Sequence, residues 1–224
     1  MTILLALDTS TRQMGLALYD GTQVLSEMMW VSQFHHTTQL APAVARMLDI
    51  AGYAMEDIEV LGVATGPGSF TSLRVGMAFA KGIALAQRIP LLGIPTLDAL
   101  AHAQPLLDIP MLAILEAGRK RLAIGTYHVN SSRWVRNGDY QLLTADALVK
   151  TIESPTYICG EMSESVRKTL GRRWKNAQLA SPAQTSRRAG YLAELAWARW
   201  EQGESDNADT LAPLYLLADH STAS

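Results

Sequence analysis

Apolar positions along this chain follow two rhythms. Short, nearly unbroken apolar runs end in polar or glycine-rich clusters, as buried strands do; longer stretches place apolar residues every three to four positions, as helices do. The first run, ILLALDTS, reads as a strand that ends in a polar turn. MGLALYDGTQVLSEMMWV gives two strands joined at Asp20-Gly21, a dipeptide favoured in tight hairpins. Residues 37–51 put Leu40, Val44, Leu48 and Ala51 on one helical face, with Pro42 near the start and Gly52 as the stop. IEVLGVATG is a strand, followed by a long helix over 70–87, the strand PLLGI and a helix over 96–103.

A second cycle follows. MLAILEAG, RLAIGTYHV and SSRWVRN read as strands, then a helix over 144–152 capped by Thr144, the strand TYICG, and helices over 161–170 and 185–202. LAPLYLL is a short apolar tail. The order strand-strand-strand-helix-strand-helix occurs on each side of Gln104-Pro105, although the residues do not repeat. The expected organisation is therefore two α/β lobes, residues 1–104 and 105–224.

The balance of 19 basic against 21 acidic residues argues against nucleic-acid binding by bulk charge. A single cysteine, Cys159, excludes a disulfide framework and a thiolate metal site and suits a reducing cytoplasm. The start enters a strand directly, so no signal peptide is expected. The most apolar stretch, 75–86, is interrupted by Lys81, so no membrane span is expected. A mean hydropathy of +0.06 is high for such a chain and leaves room for a partner interface.

Two turns carry candidate chemistry. Asp8, Thr9 and Ser10 close the first strand. In duplicated actin-like ATPases and sugar kinases this turn holds phosphate and metal, whereas a plain polar turn would bond to its own backbone. GPGSFTS, beginning at Gly66, lacks the Gly-Lys-Ser/Thr ending of a Walker loop and the spacing of a dinucleotide fingerprint, and Pro67 removes an N–H donor. Ser69 or Thr71 is instead the expected helix cap there. The helix it launches is apolar nearly all round. Gly76, Ala80 and Ala84 form one small-residue ridge, and Ala78, Gly82 and Ala86 another almost opposite. Arg74, Lys81 and Arg88 form a narrow polar seam. Such a helix is covered on more than one side, either within the chain or by a partner subunit.

LALDTST, GPGSFTSLRVG at 66–76 and GIPTLDALA at 93–101 together resemble the TsaB family, also called YeaZ. The family turn is close to GPGSFTGLRIG, and this chain departs at Ser72 and Val75. The resemblance is strong over residues 1–104 and weaker beyond, where Glu116-Ala117-Gly118-Arg119 stands in place of Asp-Ala-Arg and Tyr215-Leu216-Leu217 in place of Tyr-Leu-Arg. It implies a two-lobed actin/sugar-kinase-like (ASKHA, ribonuclease H-like) fold. It implies a non-catalytic subunit in the synthesis of N6-threonylcarbamoyladenosine next to the tRNA anticodon. The partners implied are a TsaD-like paralogue that performs the transfer, a TsaE-like ATPase, tRNA through the complex, and a second copy in a homodimer when TsaD is absent. The helices at 37–51 and 70–87 would form the contact, through Phe70, Leu73, Arg74, Met77, Ala80, Lys81 and Ala84. No cofactor, metal or catalytic residue is expected; Asp8, Thr9 and Ser10 are the candidates for residual nucleotide affinity, and the location is cytoplasmic.

Other features point elsewhere only weakly. Adjacent histidines such as His35 and His36 rarely chelate one ion, and His102, His128 and His220 are isolated. Glu116 ends a strand without a paired acid, and no Gly-x-Ser-x-Gly elbow supports a hydrolase. Residues 167–175 hold five basic side chains in nine positions and, with Arg187 and Arg188, offer either a tRNA-backbone contact or a solvated face. Trp197 and Trp200 are expected to pack the last helix. The competing class is an active ATP-dependent phosphotransferase of the same fold, which needs a second phosphate loop; only Gly118 and Gly160 are available for it.

Overall fold

A computed structural model describes residues 1–33, 35–173 and 175–216. Its chain divides into two compact units. The first comprises Met1–Ala99 and Arg187–Leu214; Leu100–Ser186, with Tyr215 and Leu216 of the described residues, make up the second.

The first unit is built on one fully buried strand. β1 (Ile3–Asp8) has no exposed residue, because it lies at the centre of a five-stranded sheet. β2 (Gln13–Tyr19) and β3 (Val24–Val31) extend the sheet antiparallel on one side, and β4 (Ile58–Gly66) and β5 (Leu91–Pro95) extend it parallel on the other, giving the order β3-β2-β1-β4-β5. Side chains alternate across a strand. Ile3, Leu5 and Leu7 of β1 therefore point into a core with α1 (His36–Ala51) and α2 (Phe70–Gln87), contributed by Leu40, Val44, Met47, Met77, Ala80 and Ala84. Leu4 and Ala6 point the other way, onto Ala189, Leu192, Ala193 and Ala196 of α6 (Ala189–Glu201). α1 ends at Gly52 in the left-handed conformation, as its sequence predicts.

α6 corrects the expected boundary. The chain leaves the first unit at Ala99 and returns at Arg187, so the lobe division is not a single cut at 104/105. The reason is the second sheet face. β1, β2 and β4 are apolar on both sides, and on the second face residues 1–104 supply only a short helix, through Ala99, so α6 must cover most of it. Trp197 packs edge-on against Tyr19 with ring centres 5.6 Å apart and stands 4.8 Å from Trp200, so the tryptophans do pack the last helix.

The second unit repeats the strand plan. β6 (Met111–Glu116) is central, antiparallel to β7 (Arg121–Asn130), which pairs with β8 (Arg133–Arg136); β10 (Thr156–Gly160) and β11 (Ala177–Leu179) follow in parallel. Counted from its own first strand, the order again runs 3-2-1-4-5, with β9 (Gln141–Thr144) added on β7. α4 (Ala145–Thr151) and α5 (Glu164–Leu170) cover one face through Leu148, Ile152 and Leu170. Thr144 caps α4 by accepting the Ala147 N–H at 3.2 Å. α3 (Thr96–His102) links the two units in sequence.

Candidate functional site

The turn after β1, read from the sequence as either a phosphate contact or a plain polar turn, is sealed: Asp8, Thr9 and Ser10 are 3%, 1% and 0% exposed. Asp8 Oδ1 accepts the Ser10 backbone N–H at 2.8 Å, and Oδ2 accepts Nε of Arg187 at 2.8 Å. Nη2 of Arg187 donates to Thr11 Oγ1 and to the Gln13 carbonyl, each at 2.9 Å. Thr9 Oγ1 donates to the Ser72 carbonyl at 2.8 Å, and Ser10 Oγ shares a hydrogen bond with Thr96 Oγ1 at 2.7 Å. The side-chain groups that could have met phosphate oxygens or metal-bound water are thus spent within the unit. An anion entering here would have to displace a buried ion pair.

The glycine turn completes the seal. Ser69 N–H donates to the Ser10 carbonyl at 2.6 Å. A Cβ on Gly68 would lie 2.3 Å from the Ser10 oxygen, and one on Gly76 would lie 2.2 Å from Thr9 Oγ1. These glycines permit backbone and helix to lie against the Asp-Thr-Ser turn. Ser69 occupies the N-cap position of α2 but makes no side-chain cap bond; its hydroxyl accepts from Ser72 Oγ at 3.0 Å.

α2 sorts the expected partner contacts into two sets. Leu73, Met77, Ala80 and Ala84 are buried in the chain's own core, so the ridge Gly76-Ala80-Ala84 is a packing surface against the sheet. That corrects the expected contact at these four residues. The opposite ridge, Ala78, Gly82 and Ala86, is exposed, together with Thr71 and Arg74. Phe70 and Leu85 are 51% and 58% exposed. Lys81 is half-buried, and its Nζ lies 3.5 Å from the Asp209 carbonyl. The Arg74 guanidinium stacks 3.7 Å from the centre of the Phe70 ring. Between α1 and α2 lies a groove of about 500 Å³ lined by Thr37, Ala41, Phe70, Val75, Ala78 and Phe79.

The remaining candidates fall into place one by one. His36 is buried, with Nε2 2.9 Å from the Thr11 carbonyl, which makes it a satisfied core histidine. His102 and His128 are exposed, and His220 lies outside the described residues, as do Trp174 and Leu217. Among the described residues no group of three His, Cys, Asp or Glu side chains is placed to hold a metal. No described helix is long and apolar enough to cross a membrane. Glu116 accepts the Ser163 backbone N–H. Arg188 pairs with Glu27 at 2.7 Å, and Arg167 donates to the Ala180 carbonyl at 2.7 Å, so neither is a free surface cation. Burial pushes the Cys159 thiol up to about 12. It stays protonated at neutral pH, and the folded protein is expected to resist a thiol reagent that labels the denatured chain at once. Rapid labelling under native conditions would contradict that burial.

Arg187 is the residue that sequence reasoning missed. Its sequence neighbourhood, shared with Arg188, offers a tRNA-backbone contact or a solvated face, and Arg187 is neither a surface cation nor solvated. The signal that existed was Asp8 itself, an acid ending a wholly apolar strand, which requires a compensating cation if buried. Nothing in local spacing identifies a partner 179 positions away.

Both units share one strand order with helices on the sheet, which defines an α/β protein of the duplicated actin/sugar-kinase-like class. In keeping with this, the ROK hexokinase from Thermus thermophilus superimposes with a TM-score of 0.51 at 13% identity, over 90% of this chain and 100% of that one, a likeness of fold alone. YeaZ from Pseudomonas aeruginosa superimposes with a TM-score of 0.77 at 25% identity, over 96% of this chain and 100% of that one. In sequence, the tRNA threonylcarbamoyladenosine biosynthesis protein TsaB of Bacillus subtilis is 29% identical over 232 residues, covering 96% of this chain and 94% of that protein. The family model described as TsaD: tRNA N6-adenosine threonylcarbamoyltransferase matches residues 30–180. The chain belongs to this family, as one of its TsaB (YeaZ) members.

Proposed function

We propose that this chain is a non-catalytic scaffold or activating subunit for threonylcarbamoyl transfer to N6 of the tRNA adenosine next to the anticodon. A role in tRNA threonylcarbamoyladenosine biosynthesis follows from its family. The finer reading rests on one observation: the turn that would carry phosphate chemistry in this fold is closed by the buried Asp8–Arg187 pair. A phosphotransferase needs that turn open. The chemistry is then assigned to a TsaD-like partner, with a TsaE-like ATPase joining the assembly and tRNA reached through the complex.

The proposed docking face is the exposed side of α1 and α2, centred on Phe70, Arg74, Ala78 and Gly82. Its small residues allow a partner helix to approach closely, and Phe70 supplies an aromatic anchor stacked by a cation. The same face would pair two copies in the absence of the partner.

Ala78→Arg is expected to weaken binding to the TsaD-like protein of the same source by about 100-fold while leaving the melting temperature within a few degrees, because the side chain starts exposed. Co-purification followed by a mass measurement reads the complex, and threonylcarbamoyladenosine formation with and without this chain reads the function. Unchanged binding by folded Ala78→Arg would remove α2 from the interface. ATP hydrolysis by the purified chain, lost in a folded Asp8→Ala variant, would instead establish the phosphotransferase reading.

A further inference from the structure

The near-balanced total of 19 basic and 21 acidic residues conceals a segregation of charge. Leu100–Ser186 hold eleven Lys and Arg against seven Asp and Glu, whereas the remainder of the chain holds eight against fourteen. Within the second unit the excess is concentrated at residues 167–175, where five cations occur and no carboxylate.

Arg167 has a structural task, since its Nη2 donates to the Ala180 carbonyl at 2.7 Å and ties α5 to the segment after β11. Lys168, Arg172, Arg173 and Lys175 are exposed. Helical backbone continues from α5 into the single turn Gly171–Arg173, because Gly171 stays right-handed at φ −62° and ψ −14°. Lys168 and Arg172, four positions apart, therefore share one side. Beyond them, the Arg173 carbonyl accepts the Asn176 N–H at 2.8 Å. Asn176 in turn accepts the Thr156 N–H at 2.8 Å and donates from Nδ2 to the Glu153 carbonyl at 2.8 Å. The stretch is thus fastened at both ends while its four outer charges stand in solvent. Asp146 comes to 4.0 Å from Arg172, but the two side chains are 81% and 69% exposed, so solvent screens the pair and leaves the cation available to a stronger anion.

The composition of this face selects the kind of partner. Among the described residues, no exposed large apolar side chain lies within 130–213, so the face lacks the apolar centre of a protein–protein contact. Lysine is also depleted from such contacts, whereas an ordered row of Lys and Arg suits a chain of phosphates. We propose that Lys168, Arg172, Arg173 and Lys175 contact the phosphate backbone of the tRNA within the assembled complex. The choice of RNA rests on the subunit reading above. The surface itself involves neither the sealed Asp8 turn nor the α1–α2 face.

The test is the affinity of the complex with the TsaD-like protein for an unmodified tRNA transcript, measured between roughly 50 and 200 mM salt. Lys168→Gln/Arg173→Gln is expected to weaken tRNA binding about fivefold to tenfold at the low end. It should also lower the steepness of log affinity against log salt by about one to two, with the mass of the complex and the melting temperature unchanged. Arg133→Gln/Arg136→Gln removes the same charge from β8, at the opposite edge of the same sheet, and should change neither quantity as much. Unchanged tRNA affinity in an intact Lys168→Gln/Arg173→Gln complex would overturn this surface and leave the subunit reading standing. Equal weakening by both double variants would overturn it too, since net charge alone would then be responsible. Loss of the complex in the first variant would make the face a protein contact instead. Should the unaltered proteins fail to associate, the subunit reading itself fails, and the same comparison on the chain alone decides the surface: binding lost selectively in the first variant supports it, and no salt-dependent binding overturns it.

Discussion

Replacing Arg187 with methionine is expected to cost about 3–5 kcal/mol of folding stability, read by urea or thermal denaturation. The guanidinium and the Asp8 carboxylate are 2% and 5% exposed and meet at 2.8 Å. Methionine fills much of the space but leaves the Asp8 carboxylate buried without its cation, and leaves Thr11 Oγ1 and the Gln13 carbonyl without their Nη2 donor. Removing one partner of a buried pair costs far more than removing both. The double variant Asp8→Asn/Arg187→Met should therefore recover a large part of the loss, and a double-mutant cycle gives the coupling directly. Arg187→Lys should recover little, since an ammonium cannot serve Asp8, Thr11 and Gln13 from one planar fork. A loss below about 1 kcal/mol for Arg187→Met would show that the pair is solvated, and the argument for a closed phosphate turn would go with it.

Ala80→Arg is the second large effect. From the sequence alone it reads as a partner-blocking substitution, because Gly76, Ala80 and Ala84 form a small ridge. The structure reverses that expectation: Ala80 is 0% exposed and belongs to the core between α2 and the first sheet. An arginine there must either bury its charge or push α2 off β1 and β4. Either outcome should exceed about 4 kcal/mol and leave the chain largely unfolded at room temperature. Ala78→Arg, two positions away, should fold. Comparing the two by circular dichroism separates the inner ridge from the outer one. A folded Ala80→Arg protein with native melting behaviour would mean that α2 is turned about its axis relative to the arrangement described here.

The order of elements was legible because each strand is a compact apolar run and each long helix keeps its period. α2 begins and ends where its pattern predicts, at Phe70 and Gln87. β9 and β11 were missed because QLLT and AQL are too short to show any period. Residues 185–188 were read into the last helix, yet Arg187 and Arg188 stand before it, fixed by Asp8 and Glu27. The candidate turn at Asp8 was found by its residue types. Its condition, open or closed, depends on a cation from the far end of the chain, and no periodicity carries that information. The two faces of α2 were both visible as small ridges, but an all-round apolar helix has no polar stripe to show which ridge turns inward.

The late return of the chain to its first unit has a consequence for biosynthesis. Growing at about 5–20 residues per second, the chain emerges with β1, β4 and β5 made and one face of their sheet still largely uncovered. That face waits for Ala189, Leu192, Ala193 and Ala196. In the interval the whole of residues 100–186 is synthesised and free to fold as an inserted body. The N-terminal strands therefore remain sticky nascent chain until Ala189–Ala196 have been made, and a premature stop shortly before residue 187 would disable the first unit as much as the segment it removes.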